Sequence, residues 1–298
     1  MASEPELAAR SNRKWLTGLL FILPCAATVL LMVVYPLVQT FLFSVSKIGL
    51  PGFDLEFVGL ANFRRILRSS EFYLILKNTL VWTVAALILR FVLGFVAALM
   101  IDTGNRGMVL FRVIVLLPWV MPSIVAANTW RQIYSTDNGL LNGYLTAINP
   151  AWNFNWLGSV ELAMGSVLVA YAWMGFPFIM LMLVAGMQGI PKDYKEAARI
   201  DGASAFQILT HVTLPSLKGI IVILIVLEII NGLNSFDLLF TLTGGGPGKA
   251  TEILGLYIYR ISFSNYDFAG ASAVSVMMIL AVSICFLFYV PSSARGRR

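Results

Sequence analysis

The chain has 298 residues, 58% hydrophobic and only 12% charged, with a mean hydropathy of +0.82. About a quarter of a soluble domain's residues are charged, so this composition excludes such a domain and implies an integral membrane protein. The net charge of +6 does not indicate nucleic acid, because Lys and Arg are scattered among apolar runs, where they set topology; with one histidine and with Cys25 and Cys285 each inside an apolar run, disulfide and metal frameworks are also excluded.

Residues 1–14 are polar and end in Arg13-Lys14. From Leu16 to about Leu37 the chain is apolar over the ~30 Å of a bilayer crossing. That run is longer than a signal-peptide core, so a retained anchor is expected, kinked or ended by Pro24 and Pro36. A mixed stretch around Gly49-Leu50-Pro51-Gly52 follows. In the next segment Leu60, Phe63, Ile66 and Leu67 share a helical face, with Arg64, Arg65 and Arg68 elsewhere, as in a helix lying in the membrane interface.

Further spans are predicted at about 74–101, 109–133, 161–186, 219–241 and 264–290. Six crossings put both termini on one side. With the termini in the cytoplasm, Arg10, Arg13, Lys14, Arg106, Arg112, Lys192, Lys195, Arg199, Lys218, Arg295, Arg297 and Arg298 lie inside. The smaller outer set is Lys47, Arg64, Arg65, Arg68, Lys77, Arg131, Lys249 and Arg260, so the inside-positive bias favours this orientation. The outer loop from Tyr134 to Gly158 carries Trp152 and Trp156 among asparagines, which suits either an interfacial anchor or contact with an outside partner.

Residues 188–218 are the one long polar interruption between spans, and they face the cytoplasm in this topology. Pro191 suits a first helical turn, and Asp193 and Glu196 oppose the helix dipole there. The helix runs through Ala197, Ala198 and Arg199 to Asp201-Gly202, a turn pair that breaks it. A second helical pattern spans Ala203 to Val212 and is expected to stop at Leu214-Pro215. The product is helix, elbow, helix, with the small residues Ala197, Ala198, Gly202 and Ala203 open to close approach by another protein.

The stretch Thr243-Gly244-Gly245-Gly246-Pro247-Gly248-Lys249-Ala250 invites a phosphate-loop reading and fails it. Thr243 holds the place of the first glycine, and Ala250 follows Lys249 where Ser or Thr is needed. A tight irregular turn is expected instead. Within the spans, Arg90 is costly in hydrocarbon, at least ~2.5 kcal/mol, and must face protein or water. Thr79, Thr83 and Arg90 share a stripe, as do Glu228, Asn231 and Ser235 with Asn234 beside them, while Asp237 falls roughly opposite. Asn128 and Gln132 add a polar strip. Thr83, Arg90, Asn128, Glu228, Asn231, Asn234 and Ser235 are the candidate pathway residues, with Trp82, Trp119, Trp130, Tyr171 or Trp173 as stacking faces. The competing reading is an Arg90–Glu228 structural pair with amides joining helices.

Three blocks, Glu196-Ala197-Ala198, Asp201-Gly202-Ala203 and Leu214-Pro215, resemble the EAA loop of permease subunits of binding-protein-dependent ATP-binding cassette importers. Leu209 stands where that family often has Phe, and Val212 where it often has Ile. The Phe57-Val58-Gly59-Leu60 string, the Thr243 to Pro247 turn, Tyr257-Ile258-Tyr259 and Gly270-Ala271-Ser272-Ala273 resemble its sugar-type members. The resemblance implies an all-α membrane protein with six spans and the type I importer fold. Glu196, Ala197, Ala198, Asp201, Gly202, Ala203, Leu209, Leu214 and Pro215 would then form a coupling helix docking on a dimeric ATPase. It implies no cofactor in this chain, ATP and Mg being held by that ATPase. The implied partners are a second, distinct permease, an extracytoplasmic solute-binding protein and the lipid bilayer, with no nucleic acid. The implied function is import of a sugar, neutral or anionic, across the bacterial inner membrane by a non-catalytic subunit. The alternative is an ion-coupled secondary transporter or channel using Arg90, Glu228 and Asp237.

Overall fold

The computed structural model describes residues 20–49, 54–101 and 108–294. Residues 16–19 of the predicted first span, the Leu50-Pro51-Gly52 turn, and Arg10, Arg13, Lys14, Arg106, Arg295, Arg297 and Arg298 lie outside them. In chain order the helices are α1 (Leu20–Ser44), α2 (Ala61–Leu67), α3 (Ser70–Ile101), α4 (Met108–Val120), α5 (Ser123–Ile133), α6 (Leu140–Ile148), α7 (Val160–Gln188), α8 (Lys192–Ile200), α9 (Ala205–Leu233), α10 (Phe236–Leu242), α11 (Leu254–Phe263) and α12 (Phe268–Ala294). A small hairpin pairs β1 (Ser46–Gly49) with β2 (Asp54–Phe57), so the regular elements of the described residues are helices and two short antiparallel strands. Helices α1, α3, α7 and α9 are long and apolar enough to cross a membrane, and α4 with α5 forms a bent pair.

The described residues divide into two compact units. The first combines the chain up to Arg68 with Ile261–Ile279. Helix α1 runs to Ser44, past the predicted end at Leu37, and widens into a π turn over Leu30–Val34 just before Pro36. Proline has no N–H to donate and crowds the carbonyl four residues earlier, here Met32, so the extra residue per turn relieves the clash. The buried Asn62 amide donates to the carbonyls of Ser44 (3.0 Å) and Ser46 (2.8 Å), tying α2 to the hairpin. This divides the predicted apolar face of α2: Ile66 turns inward, while Leu60 and Leu67 stay exposed beside the arginines. Arg65 pairs with Asp267 at 2.7 Å, and Asp267 accepts from the Gly270 N–H in the first turn of α12.

The second unit combines Ser69–Arg260 with Leu280–Arg298. Its centre is the α3–α7 pair, brought together at Gly94, where a β-carbon would meet Ile179 Cβ at 2.8 Å and the Phe176 carbonyl at 2.9 Å. Two apolar cores flank this contact. One is built on Trp82, Ala86, Val167, Ala170 and Leu239, and the other on Ala98, Ile179, Met180, Leu183 and Leu224.

Two of the predicted spans are not single helices. Residues 109–133 form α4 and α5, bent by 99°. Pro118 and Pro122 remove backbone donors, and Met121, before a proline, is pushed out of helical geometry. Residues 219–241 are broken at Asn234-Ser235. The Ser235 hydroxyl donates to the Gly232 carbonyl (2.6 Å) and accepts from Trp82 Nε1 (2.7 Å), competing with the helical ladder.

The glycine-rich stretch is a turn, as expected, with left-handed backbone at Gly244, Gly245, Gly248 and Lys249. It is fastened from within by Thr243 and Thr251, whose hydroxyls lie 2.7 Å apart. Outside the turn, Glu71 pairs with Lys249 and Arg260, and Arg260 pairs with the buried Glu252 at 2.7 Å.

Candidate functional site

Five of the seven predicted pathway residues line one cavity of about 300 Å³ in the second unit: Arg90, Glu228, Asn231, Asn234 and Ser235. Asp237 joins them. Counting around an unbroken helix places it opposite, but the interruption at Asn234-Ser235 turns α10 and brings the carboxylate to the same space. Trp119 lines the cavity and is stacked on Phe178 at 5.7 Å between ring centroids. Thr83 and Asn128 do not line it. Thr83 is buried against Gly232, its hydroxyl without a partner among the described residues. Asn128 is exposed and donates to the Ile124 carbonyl of its own helix. Trp82 is fully buried, with its N–H spent on Gly232 and Ser235, so it offers no free face. Trp130 and Trp173 pack edge to face at 5.7 Å and are not in the lining.

Arg90, on α3, is held from two other helices. Its Nη1 donates to Glu228 Oε2 of α9 at 2.8 Å, and Nε and Nη2 donate to the Tyr171 carbonyl of α7 at 3.1 and 3.0 Å. Its guanidinium carbon lies 3.4 Å from the centroid of the Tyr171 ring. The side chains of Arg90 and Glu228 are only 5% and 2% exposed. The ion pair is therefore made, and it also forms part of the cavity wall. Asn231 extends the network, its amide donating to Glu228 Oε1 at 3.4 Å.

Two contributors to this arrangement have no side-chain signal in the sequence. One is the Tyr171 carbonyl. The other is Gly175, where a β-carbon would stand 2.1 Å from Arg90 Cζ, so only glycine leaves room for the guanidinium. With Arg90 and Glu228 neutralising each other, Asp237 leaves the described lining with one excess negative charge. Asp237 makes no ion pair among the described residues.

The second assembly is the elbow. Pro191 precedes α8, which carries Glu196, Ala197 and Ala198 and buries none of its nine residues. Its end is a complete glycine cap: the Gly202 N–H reaches the Arg199 carbonyl (3.0 Å), and the Ala203 N–H reaches Ala198 (2.9 Å). Gly202 supplies the required φ of +80°. One residue later Ser204 and Gln207 form a reciprocal capping box that starts α9, a signal readable as S-x-x-Q but absent from the motif reading.

The expected stop at Leu214-Pro215 does not occur. A π turn over Leu209–Thr213 accommodates Pro215, and α9 continues to Leu233. A groove of about 590 Å³, lined by Ala197, Ala198, Asp201, His211 and Pro215, opens beside α8. Ile200 is 86% exposed, and Tyr194 and Phe206 are also largely bare.

Residues 90–295 match the family described as binding-protein-dependent transport system inner membrane component. A trehalose/maltose transport system permease protein of Thermococcus litoralis is 36% identical over 91% of this chain and 92% of its own length. A sulfoquinovosyl glycerol transport system permease protein of Agrobacterium fabrum is 31% identical over 91% of this chain and 87% of its own. Among solved structures, a chain of a bacterial ABC transporter involved in the import of the acidic polysaccharide alginate superposes with a TM-score of 0.86 at 22% identity. It covers 98% of this chain and all of that one.

Proposed function

Since the chain belongs to the family of binding-protein-dependent transport system inner membrane components, we propose that it is the non-catalytic permease subunit of an ATP-driven sugar importer. The observation that carries the coupling role is the bare elbow. A soluble loop does not leave Ile200, Tyr194 and Phe206 in water without reason, and small residues beside them let a partner's backbone come close. The elbow is the coupling helix, and its partner is a dimeric ATPase holding ATP and Mg. The four long helices, the bent pair α4–α5 and α12 make six crossings, with both termini in the cytoplasm of a bacterial inner membrane. A second, distinct permease completes the pathway, and an extracytoplasmic binding protein delivers the solute.

The sugar is neutral. Relatives named for trehalose/maltose and for an anionic sulfoquinovosyl solute leave both options open. The lining supports the neutral reading: its single described cation is tied to Glu228 and to the Tyr171 carbonyl, and Asp237 adds a negative charge. Amides, a hydroxyl and the Trp119 face suit a polyol that offers both hydrogen-bonding edges and an apolar ring surface. The ion-coupled transporter reading loses force for the same reason, since Arg90 and Glu228 already satisfy each other.

Proteoliposomes containing the assembled complex test the reading with labelled trehalose and maltose, the binding protein outside and ATP within. Uptake should require ATP and fall sharply in Glu196→Ala with the complex still assembled. Uptake driven by an imposed ion gradient without ATP would overturn it.

A further inference from the structure

Helix α6, in the outer loop, is inside out. Its polar residues Asn142 and Thr146 turn inward, and Leu140, Gly143, Tyr144, Ala147 and Ile148 face outward. The inward side is satisfied. Asn142 donates to the Phe154 carbonyl (2.8 Å) and accepts from the Phe154 N–H (3.2 Å) and Trp156 Nε1 (2.9 Å), while Thr146 donates to the Asn142 carbonyl (2.7 Å). On the outward side, Leu140 is 65% exposed and Tyr144 and Ile148 are each 74% exposed. A helix bathed in water places these groups the other way round.

We propose that the outward face of α6 lies in the outer leaflet of the bilayer, as an interfacial helix parallel to the membrane. Three observations select lipid as the occupant. From residue 138 to residue 160 the sequence has no Asp, Glu, Lys, Arg or His. A surface that meets a soluble protein is rimmed by polar residues that commonly include charges, and this stretch supplies no charged residue to such a rim. Exposed Trp152 and Tyr144 provide the amphipathic rings that settle at headgroup level. The helices that precede and follow α6 in the chain also expose apolar residues, Ile124 and Val125 of α5 and Val160 and Val169 of α7, both among the membrane-spanning segments. The structure thus separates the two tryptophans of the loop: Trp156 is an internal strut on Asn142, and Trp152 is an anchor.

The test uses nitroxide labels in the assembled complex in liposomes, with Cys25 and Cys285 replaced by serine. Labels are placed singly at Tyr144, Ala147, Asn153 and Val84. Val84, on the exposed side of α3, reports whether the chain spans the membrane at all. Labels at 144 and 147 should collide with oxygen several-fold more readily than with a water-soluble nickel chelate, as at 84, with the reverse at 153. Position 147 keeps the test open if Tyr144→Cys folds poorly. Free access of the chelate at 144 and 147, or shielding from both reagents as beneath a protein partner, overturns the proposal. If Val84 still reads as lipid, the membrane reading survives that outcome.

Discussion

Replacing Gly175 by alanine tests whether a missing side chain holds the cavity wall together. The new β-carbon would lie 2.1 Å from Arg90 Cζ and 2.2 Å from its Nε. Non-bonded carbons rest at about 3.5–4.0 Å, so the guanidinium must retreat by roughly 1.4 Å or more. The pair with Glu228, now at 2.8 Å, and the two hydrogen bonds to the Tyr171 carbonyl cannot all follow that movement. Breaking a buried pair from one side costs about 3–5 kcal/mol. Water entering the adjoining cavity offsets part of this, so a loss near the lower figure is expected. The assay is thermal denaturation of the purified complex for Gly175→Ala, and again for the same change in an Arg90→Met/Glu228→Leu background. In that background the clash with a charged, fixed side chain is gone and the penalty should shrink to under about 1 kcal/mol. An equal penalty in both backgrounds, or none in either, would refute the argument.

Asp237→Asn removes the excess charge from the lining. It should raise uptake of the acidic disaccharide maltobionate relative to maltose by about fivefold, ~1 kcal/mol, the repulsion of two unit charges about 4 Å apart in water, measured in proteoliposomes with a single binding protein. Ala198→Trp fills the groove beside α8. It should abolish solute-stimulated ATP hydrolysis while leaving the chain's melting temperature near wild type, because α8 buries none of its residues. Gly202→Val forces a branched residue into φ +80°, at about 1–2 kcal/mol. Hydrogen exchange should show faster exchange at the Ala203 amide, whose bond to Ala198 depends on that cap. Asn142→Leu leaves Trp156 Nε1 and the Phe154 backbone without their partner, and a loss of about 2–4 kcal/mol is expected from equilibrium unfolding.

What could be read in advance divides along the range of the interactions. The elbow was legible because helix ends are local: Pro191, Asp201-Gly202 and the spacing of Glu196 from the first turn act within a few residues. Arg90 and Glu228 were legible because an intramembrane charge demands a partner. The cavity was only half visible. Helical counting carried Asp237 to the wrong side, since it assumed an unbroken span, and the hydroxyl of Ser235 that ends the helix works through Trp82, far away in the sequence. Gly175 and the Tyr171 carbonyl were invisible, because a glycine's space and a carbonyl's direction have no side-chain chemistry to betray them. Proline acts in more than one way here. Pro122 does help to break a span, but Pro36 and Pro215 are absorbed by π turns, and composition does not distinguish these outcomes.

That absorption at Pro215 leaves α9 mechanically continuous from the elbow to the cavity. Ala205 and Glu228 stand at opposite ends of a single rod roughly 35 Å apart at the usual helical rise. A stroke delivered at one end must therefore arrive at the other as displacement of Glu228 and Asn231, apart from what the looser Leu209–Thr213 winding absorbs as torsion. In the proposed importer, the stiffness of that five-residue winding would set how much of the stroke reaches the cavity, acting as a gear ratio written into the backbone.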